Sequence, residues 1–124
     1  MIDDLPTDSL MYLASPYSHP DQAVRELRFR QAAQAAAYLM SRGLMIFSPI
    51  AHTHPIAEFG LPKGWDFWRP YDELFMDACR GIVVLMLDGW RESTGVRAEI
   101  QYMAKRGIAA EYLHPAESKH DQAS

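Results

Sequence analysis

The stretch "IVVLMLDGWRESTGVRAEIQYMAKRGI", residues 82–108, decides how this chain folds. It begins with an unbroken apolar run, Ile82 to Leu87, of the length and composition of a strand buried on both faces. Asp88-Gly89-Trp90 interrupts that run, and Ser93 stands where a helix N-cap belongs. Val96, Ile100 and Met103 then recur at the spacing of one helical face, and Gly107 follows as a C-terminal stop. The spacing predicts a helix over Thr94 to Arg106. Glu99 lies three residues after Val96 and four before Met103, so that helix turns it toward its own apolar side. A carboxylate on the buried side of a helix, one turn past its start, calls for a chemical reason.

Outward from this segment the same alternation continues. Leu10 to Ala14 reads as a short buried strand, ended by Ser15-Pro16-Tyr17-Ser18-His19-Pro20. Asp21 to Arg42 carries Val24, Leu27, Ala35 and Leu39 at helical spacing, with Gly43 as its C-terminal glycine. Leu44 to Phe47 is a second strand. Residues 48–64, rich in proline, histidine and glycine, read as a long functional loop. Trp65, Phe67, Trp68 and Tyr71 lead into a helix ending near Arg80, and Ile108 to Leu113 forms a last strand. Residues 116–124 are polar and are expected to form a disordered tail. Strands alternating with helices make β-α-β units. With right-handed crossovers, residues 1–115 become one α/β domain: a flavodoxin-like open sheet of four to five mostly parallel strands, in order 2-1-3-4, with helices on both faces. Ligands bind at the carboxyl ends of the strands in such sheets. That edge collects residues 15–19, 48–54 and 88–95.

Composition narrows the function. The chain has 124 residues, 48% hydrophobic and 23% charged, with a net charge of −4. No basic patch points to a nucleic acid polymer as partner. A single cysteine, Cys79, excludes an internal disulfide and disfavours a structural zinc site. The start, Met1 to Pro6, has neither the basic nor the apolar region of a signal peptide, and no apolar run reaches the roughly 20 residues of a membrane span. A cytoplasmic protein without membrane contact is expected.

Two carboxylates carry the candidate chemistry. Asp72 repeats the placement of Glu99, lying three, four and seven residues before Phe75, Met76 and Cys79, again on the apolar side near a helix start. On neighbouring helices the two would converge over the sheet, one as nucleophile and the other as general acid or base. Ser93, Thr94 and Gly95 add hydroxyls and free backbone N–H groups, an anion site as well as an ordinary N-cap.

"MYLASPYS" at the first strand and "LDGWRESTGVRAEIQYMAKRGI" at the third strand and its helix resemble the nucleoside 2-deoxyribosyltransferase superfamily. The "SPI-x-H-x-HP" and "LDGW-x-x-S-x-GV-x-x-E" patterns resemble a small uncharacterised bacterial branch of it. The likeness spans about residues 10–115. It implies cleavage of the N-glycosidic bond of a deoxynucleoside or nucleotide, without a cofactor. It further implies that Glu99 attacks the anomeric carbon, that Asp72 helps to protonate the leaving base, and that Tyr12 or Tyr17 lies nearby. Such a bond breaks through an oxocarbenium-like state, which a carboxylate beside the sugar stabilises or captures.

The remaining expectations concern the rim. Ser15, Tyr17, His52, His54, Asp88, Trp90, Ser93 and Gly95, with Tyr12, are the expected substrate contacts. His52-x-His54 suits a metal only with further ligands, and none stands at a telling spacing, so no metal is expected. Trp65, Trp68 and Tyr71 offer rings to stack on a base, but an aromatic stripe entering a helix reads more often as core or subunit interface, and Trp90 beside Asp88 is the better stacking candidate. Surplus apolar residues such as Phe59, Leu61 and Phe67 suggest a homo-oligomer. An electron carrier is disfavoured, because the loop after the first strand lacks a Ser/Thr/Gly-rich phosphate cradle for flavin. The competing class is a non-catalytic binder of nucleotides or related metabolites on the same fold.

Overall fold

A computed structural model describes residues 2–122 of the chain. Its sheet has four strands, β1 (Leu10–Ala14), β2 (Met45–Phe47), β3 (Gly81–Leu85) and β4 (Glu111–Leu113), in the order β2-β1-β3-β4. Every neighbouring pair is parallel. The helices are α1 (Gln22–Ser41), α2 (Pro49–Ala57), α3 (Trp65–Ala78), α4 (Thr94–Lys105) and α5 (Pro115–Gln122). This is the open flavodoxin-like α/β sheet that the alternation of strands and helices predicts.

The period of two along a strand divides the core between the two faces of the sheet. Met11 and Leu13 of β1 join Val83 and Leu85 of β3 on one face, packed against Ala35 and Leu39 of α1. Tyr12 and Ala14 join Ile82 and Val84 on the other, against Met76 of α3 and Val96 and Met103 of α4. All of these side chains are fully or almost fully buried, and truncating one of the large ones to alanine costs about 2–5 kcal/mol. The consequence for function is simple. Tyr12 faces α3 and α4, the two helices that carry Asp72 and Glu99.

Local chemistry sets the ends of the elements. Asp21 caps α1 by accepting from the Ala23 N–H. Ser93 caps α4 by accepting from the Val96 N–H at 3.2 Å, and Gly107 follows its end at φ +80°. The β3 strand starts one residue earlier and stops two residues sooner than its apolar run, because Met86 and Leu87 already turn toward the loop, Leu87 N–H bonding back to the Leu85 carbonyl.

Two expectations are corrected. Residues 48–64 are not all loop: α2 occupies Pro49–Ala57. Ser48 accepts from the Ala51 N–H and Pro49 takes the first helical position, where its missing N–H costs nothing. The second proline, Pro55, reads as a breaker, yet the helix continues for two residues past it. The polar tail also departs from expectation, since α5 covers residues 115–122 and packs against α1. Pro115 starts it, the Ala116 N–H donates to His114 Nδ1, and Ser118 is buried. The last two residues of the expected tail, 123 and 124, lie outside the described residues. Among the described residues no helix is long and apolar enough to cross a membrane.

Candidate active site

The carboxyl ends of β1, β2 and β3 open into one cleft of about 750 Å³, within the range of small-molecule sites. Ser15, Tyr17 and Ser18 reach it from the loop after β1, and Pro49, Ile50 and Thr53 from α2. Gly89 and the segment from Glu92 to Gly95 reach it from the loop after β3, as the topology of a parallel sheet requires. Asp72 and Glu99 line its floor.

These two acids and Tyr12 form the centre. Glu99 is 4% exposed, Asp72 7%, and Tyr12 not at all. The Tyr12 hydroxyl donates to Glu99 Oε2 across 87 residues of chain. Burial pushes the Glu99 carboxyl well above its ordinary value; the Tyr12 hydroxyl opposes that shift and the Asp72 charge adds to it. Asp72 is raised to about 7, by burial against a smaller opposing pull from Tyr12. The Tyr12 phenol is raised too, by burial first and then by the two acids beside it. One hydroxyl has one hydrogen, and Glu99 receives it; Asp72 Oδ1 is buried with no hydrogen-bond partner. Burial therefore favours the protonated form of both acids; the Tyr12 hydroxyl opposes this at Glu99, and Asp72 can keep or release a proton near neutral pH. That division suits a carboxylate and a general acid working on one bond.

Above this floor the wall mixes hydroxyls, amides and aromatic rings. Ser15 is buried at the cleft with its Oγ unpartnered, free to meet a ligand. Ser93, Thr94 and Gly95 line the cleft at the start of α4, where backbone N–H groups and the helix dipole favour an anion. A Cβ at Gly95 would stand 3.4 Å from the Trp65 ring, in ordinary van der Waals contact.

Not every expected contact reaches the cleft. Asp88 is exposed outside it, and its backbone oxygen accepts from Arg28 Nη2 at 3.1 Å. Trp90 turns away to pack its half-buried indole on Tyr112 of β4, with Arg91 over its ring, because that apolar contact is available on the sheet side of the loop. The aromatic wall comes instead from Trp65, Phe67 and Trp68, which the sequence reading assigned to core or subunit interface. His52 is exposed and lies against the Tyr71 ring rather than at the cleft. His54 is buried behind Tyr17, bonded to its hydroxyl at 2.7 Å. Among the described residues no three His, Cys, Asp or Glu side chains group to hold a metal ion.

Arg28 is the wall residue the sequence reading missed. From α1 its guanidinium donates to the Ser18 carbonyl at 3.0 Å and to the Asp88 carbonyl, tying the loops after β1 and β3 together. Burial lowers its pKa while the Asp88 charge opposes that change. Gly89 accommodates it, with φ +87° and only 2.9 Å between a built Cβ and Arg28 Nη2. Nothing local marks this residue, because α1 has no sharply apolar face against which an inward arginine would stand out.

No curated protein matches this chain significantly. The model of one family, described as a domain of unknown function (DUF1937), matches residues 9–112, so the site from Tyr12 to Glu99 lies within it and the chain belongs to that family.

Proposed function

We propose that this protein cleaves or transfers the N-glycosidic bond of a deoxynucleoside or nucleotide, with Glu99 as nucleophile and Asp72 as general acid. The observation that carries this reading is the convergence of two buried carboxyls on the floor of one cleft, with the Tyr12 phenol, which does not itself line the cleft, bonded to Glu99. The Glu99 carboxylate forms a bond to the anomeric carbon while the carbon–nitrogen bond breaks, its electron pair going to the base. The Asp72 proton goes to that leaving nitrogen. Water or a second base then displaces Glu99 from the sugar and returns a proton to Asp72. Trp65, Phe67 and Trp68 offer faces for a base, and Ser93 to Gly95 offer N–H groups to a negatively charged substituent. The likeness of "MYLASPYS" and "LDGWRESTGVRAEIQYMAKRGI" to the nucleoside 2-deoxyribosyltransferase superfamily adds support.

The depth of Glu99 favours one competing reading, a binder of nucleotides or similar metabolites in which the Tyr12–Glu99 pair only shapes the pocket. Incubation with a panel of nucleosides and 5′-nucleotides, with and without an acceptor base, separates the two. The glycosidase reading expects released or exchanged base, and a loss of at least about a thousand-fold in Glu99→Gln, equivalent to about 4 kcal/mol of barrier. Binding without turnover, unchanged by Glu99→Gln, refutes it.

We also propose that the protein is a homo-oligomer. Phe59 is 91% exposed, and Phe67, which lines the cleft, and Leu74 are exposed on α3. Apolar side chains of that size gain by meeting a second surface.

A further inference from the structure

The acid pair does not account for a second line of polar groups, buried at its centre, that ends at the same cleft. His54 of α2 is 4% exposed, with its ring stacked on Phe29 of α1 at 4.4 Å and edge-on to Tyr17 at 5.5 Å. Its Nε2 stands 2.7 Å from Glu26 Oε2, and its Nδ1 2.7 Å from the Tyr17 hydroxyl. Tyr17 in turn lines the cleft. The loop after β1, α1 and α2 thus build a line from Glu26 through His54 to a phenol at the wall.

The direction of that line follows from elementary donor and acceptor chemistry. A carboxylate only accepts, so in the neutral imidazole the one ring hydrogen lies on Nε2. Nδ1 is then bare and accepts, so the Tyr17 hydroxyl donates to it. The phenol has no other hydrogen. Its oxygen, to which Arg25 also hydrogen-bonds, is therefore left with acceptor capacity only toward the cleft that Tyr17 lines. We propose that Tyr17, oriented by His54 and Glu26, is a fixed hydrogen-bond acceptor that selects ligands placing a neutral O–H or N–H donor against it. On the nucleoside reading, from which the identity of the ligand is taken, that donor is a sugar hydroxyl or an exocyclic amino group. An ionised phosphate oxygen carries no hydrogen and is disfavoured at this point of the wall. His54 and Glu26 are positioning residues; Tyr17 alone touches the ligand.

The electrostatic surroundings agree. The charged groups facing Tyr17 are Glu58, Arg25 and Glu26, with the His54 ring against its hydroxyl. Burial first, and then Glu58, raise the Tyr17 pKa; Arg25 opposes them, and Glu26 adds a smaller upward push. The phenol thus keeps the hydrogen that it gives to His54.

Two measurements on the full chain test this. The first is a long-range 1H–15N correlation spectrum of His54 at about pH 8, above the ordinary imidazole pKa of about 6.5. It should show hydrogen on Nε2 and none on Nδ1, and Glu26→Gln, which keeps the shape but not the charge, should populate the other tautomer. The second is a binding cycle in a Glu99→Gln background, using 2′-deoxyadenosine, 2′-deoxyinosine and their 3′-deoxy analogues. Tyr17→Phe should weaken the parent deoxynucleosides about tenfold, the worth of one ordinary hydrogen bond. The analogue lacking the responsible donor should bind both chains equally. Loss of the effect in the 3′-deoxy compounds assigns the sugar hydroxyl, and loss in the inosine compounds assigns the amino group. A hydrogen on Nδ1 overturns the proposal, as does unchanged affinity in Tyr17→Phe. If the wild-type chain turns over a nucleoside while Tyr17→Phe shows the same kcat/KM and KM, this inference fails and the proposed function stands. If no probe binds, the nucleoside reading fails, and the ligand contact assigned here falls with it.

Discussion

Asp72→Asn should remove one large part of the pH dependence of the protein's stability. The unfolded carboxyl releases its proton near its ordinary value of 3.8, whereas in the cleft it holds the proton to about 7. Between those values the folded chain binds the extra proton, so stability is highest in acid and falls as pH rises toward 7. A gap of about three units, at about 1.4 kcal/mol each, amounts to at most about 4 kcal/mol. Asparagine has nearly the same shape and no proton to lose, so this part of the slope vanishes. Glu99 is shifted in the same direction and remains in both chains; without the Asp72 charge it ionises more easily, which enlarges the difference. Urea unfolding of both chains at several pH values from about 4 to 8, compared by midpoint at constant slope, measures it. Asp72→Asn should gain on the wild type by up to about 4 kcal/mol across that range, with nearly all of the gain complete by about pH 7.5. Two stability curves that run parallel from acid to neutral pH would refute burial as the cause of the shift, and with it the assignment of Asp72 as an acid that keeps its proton near neutrality.

Tyr12→Phe removes the hydroxyl that donates to Glu99, and should cost about 1.5–3 kcal/mol where Glu99 is ionised and less in acid, read by the same unfolding experiment at two pH values. Ser93→Ala removes the cap of α4 and should cost about 1 kcal/mol, with a lower thermal midpoint in calorimetry and no change in the sheet. Phe59→Ser should lower the apparent mass in sedimentation velocity at micromolar concentration; a wild-type chain that already runs as a monomer refutes the proposed oligomer.

Periodicity alone determined most of the framework. Six apolar residues followed by a capped helical stripe can only be a buried strand feeding a helix, and repeating that unit leaves a parallel sheet as the way to bury it. Val96, Glu99 and Met103 share a helical face whatever surrounds them, so the inward turn of Glu99, and of Asp72 beside Phe75 and Met76, could be read directly. The same rule could not say what stands opposite a residue on another element. Tyr12 and Glu99 are 87 residues apart, and only the register of β1 against β3, with α4 laid over both, brings hydroxyl to carboxylate. The pairing of Tyr17 with His54 and of His54 with Glu26 has the same origin: α2 forms despite Pro55, and α1 passes behind it. Trp90 and the aromatic residues at the start of α3 exchanged the roles expected of them. A ring in a loop packs on whichever apolar surface lies nearest once the sheet is built, and no local pattern records where that surface will be.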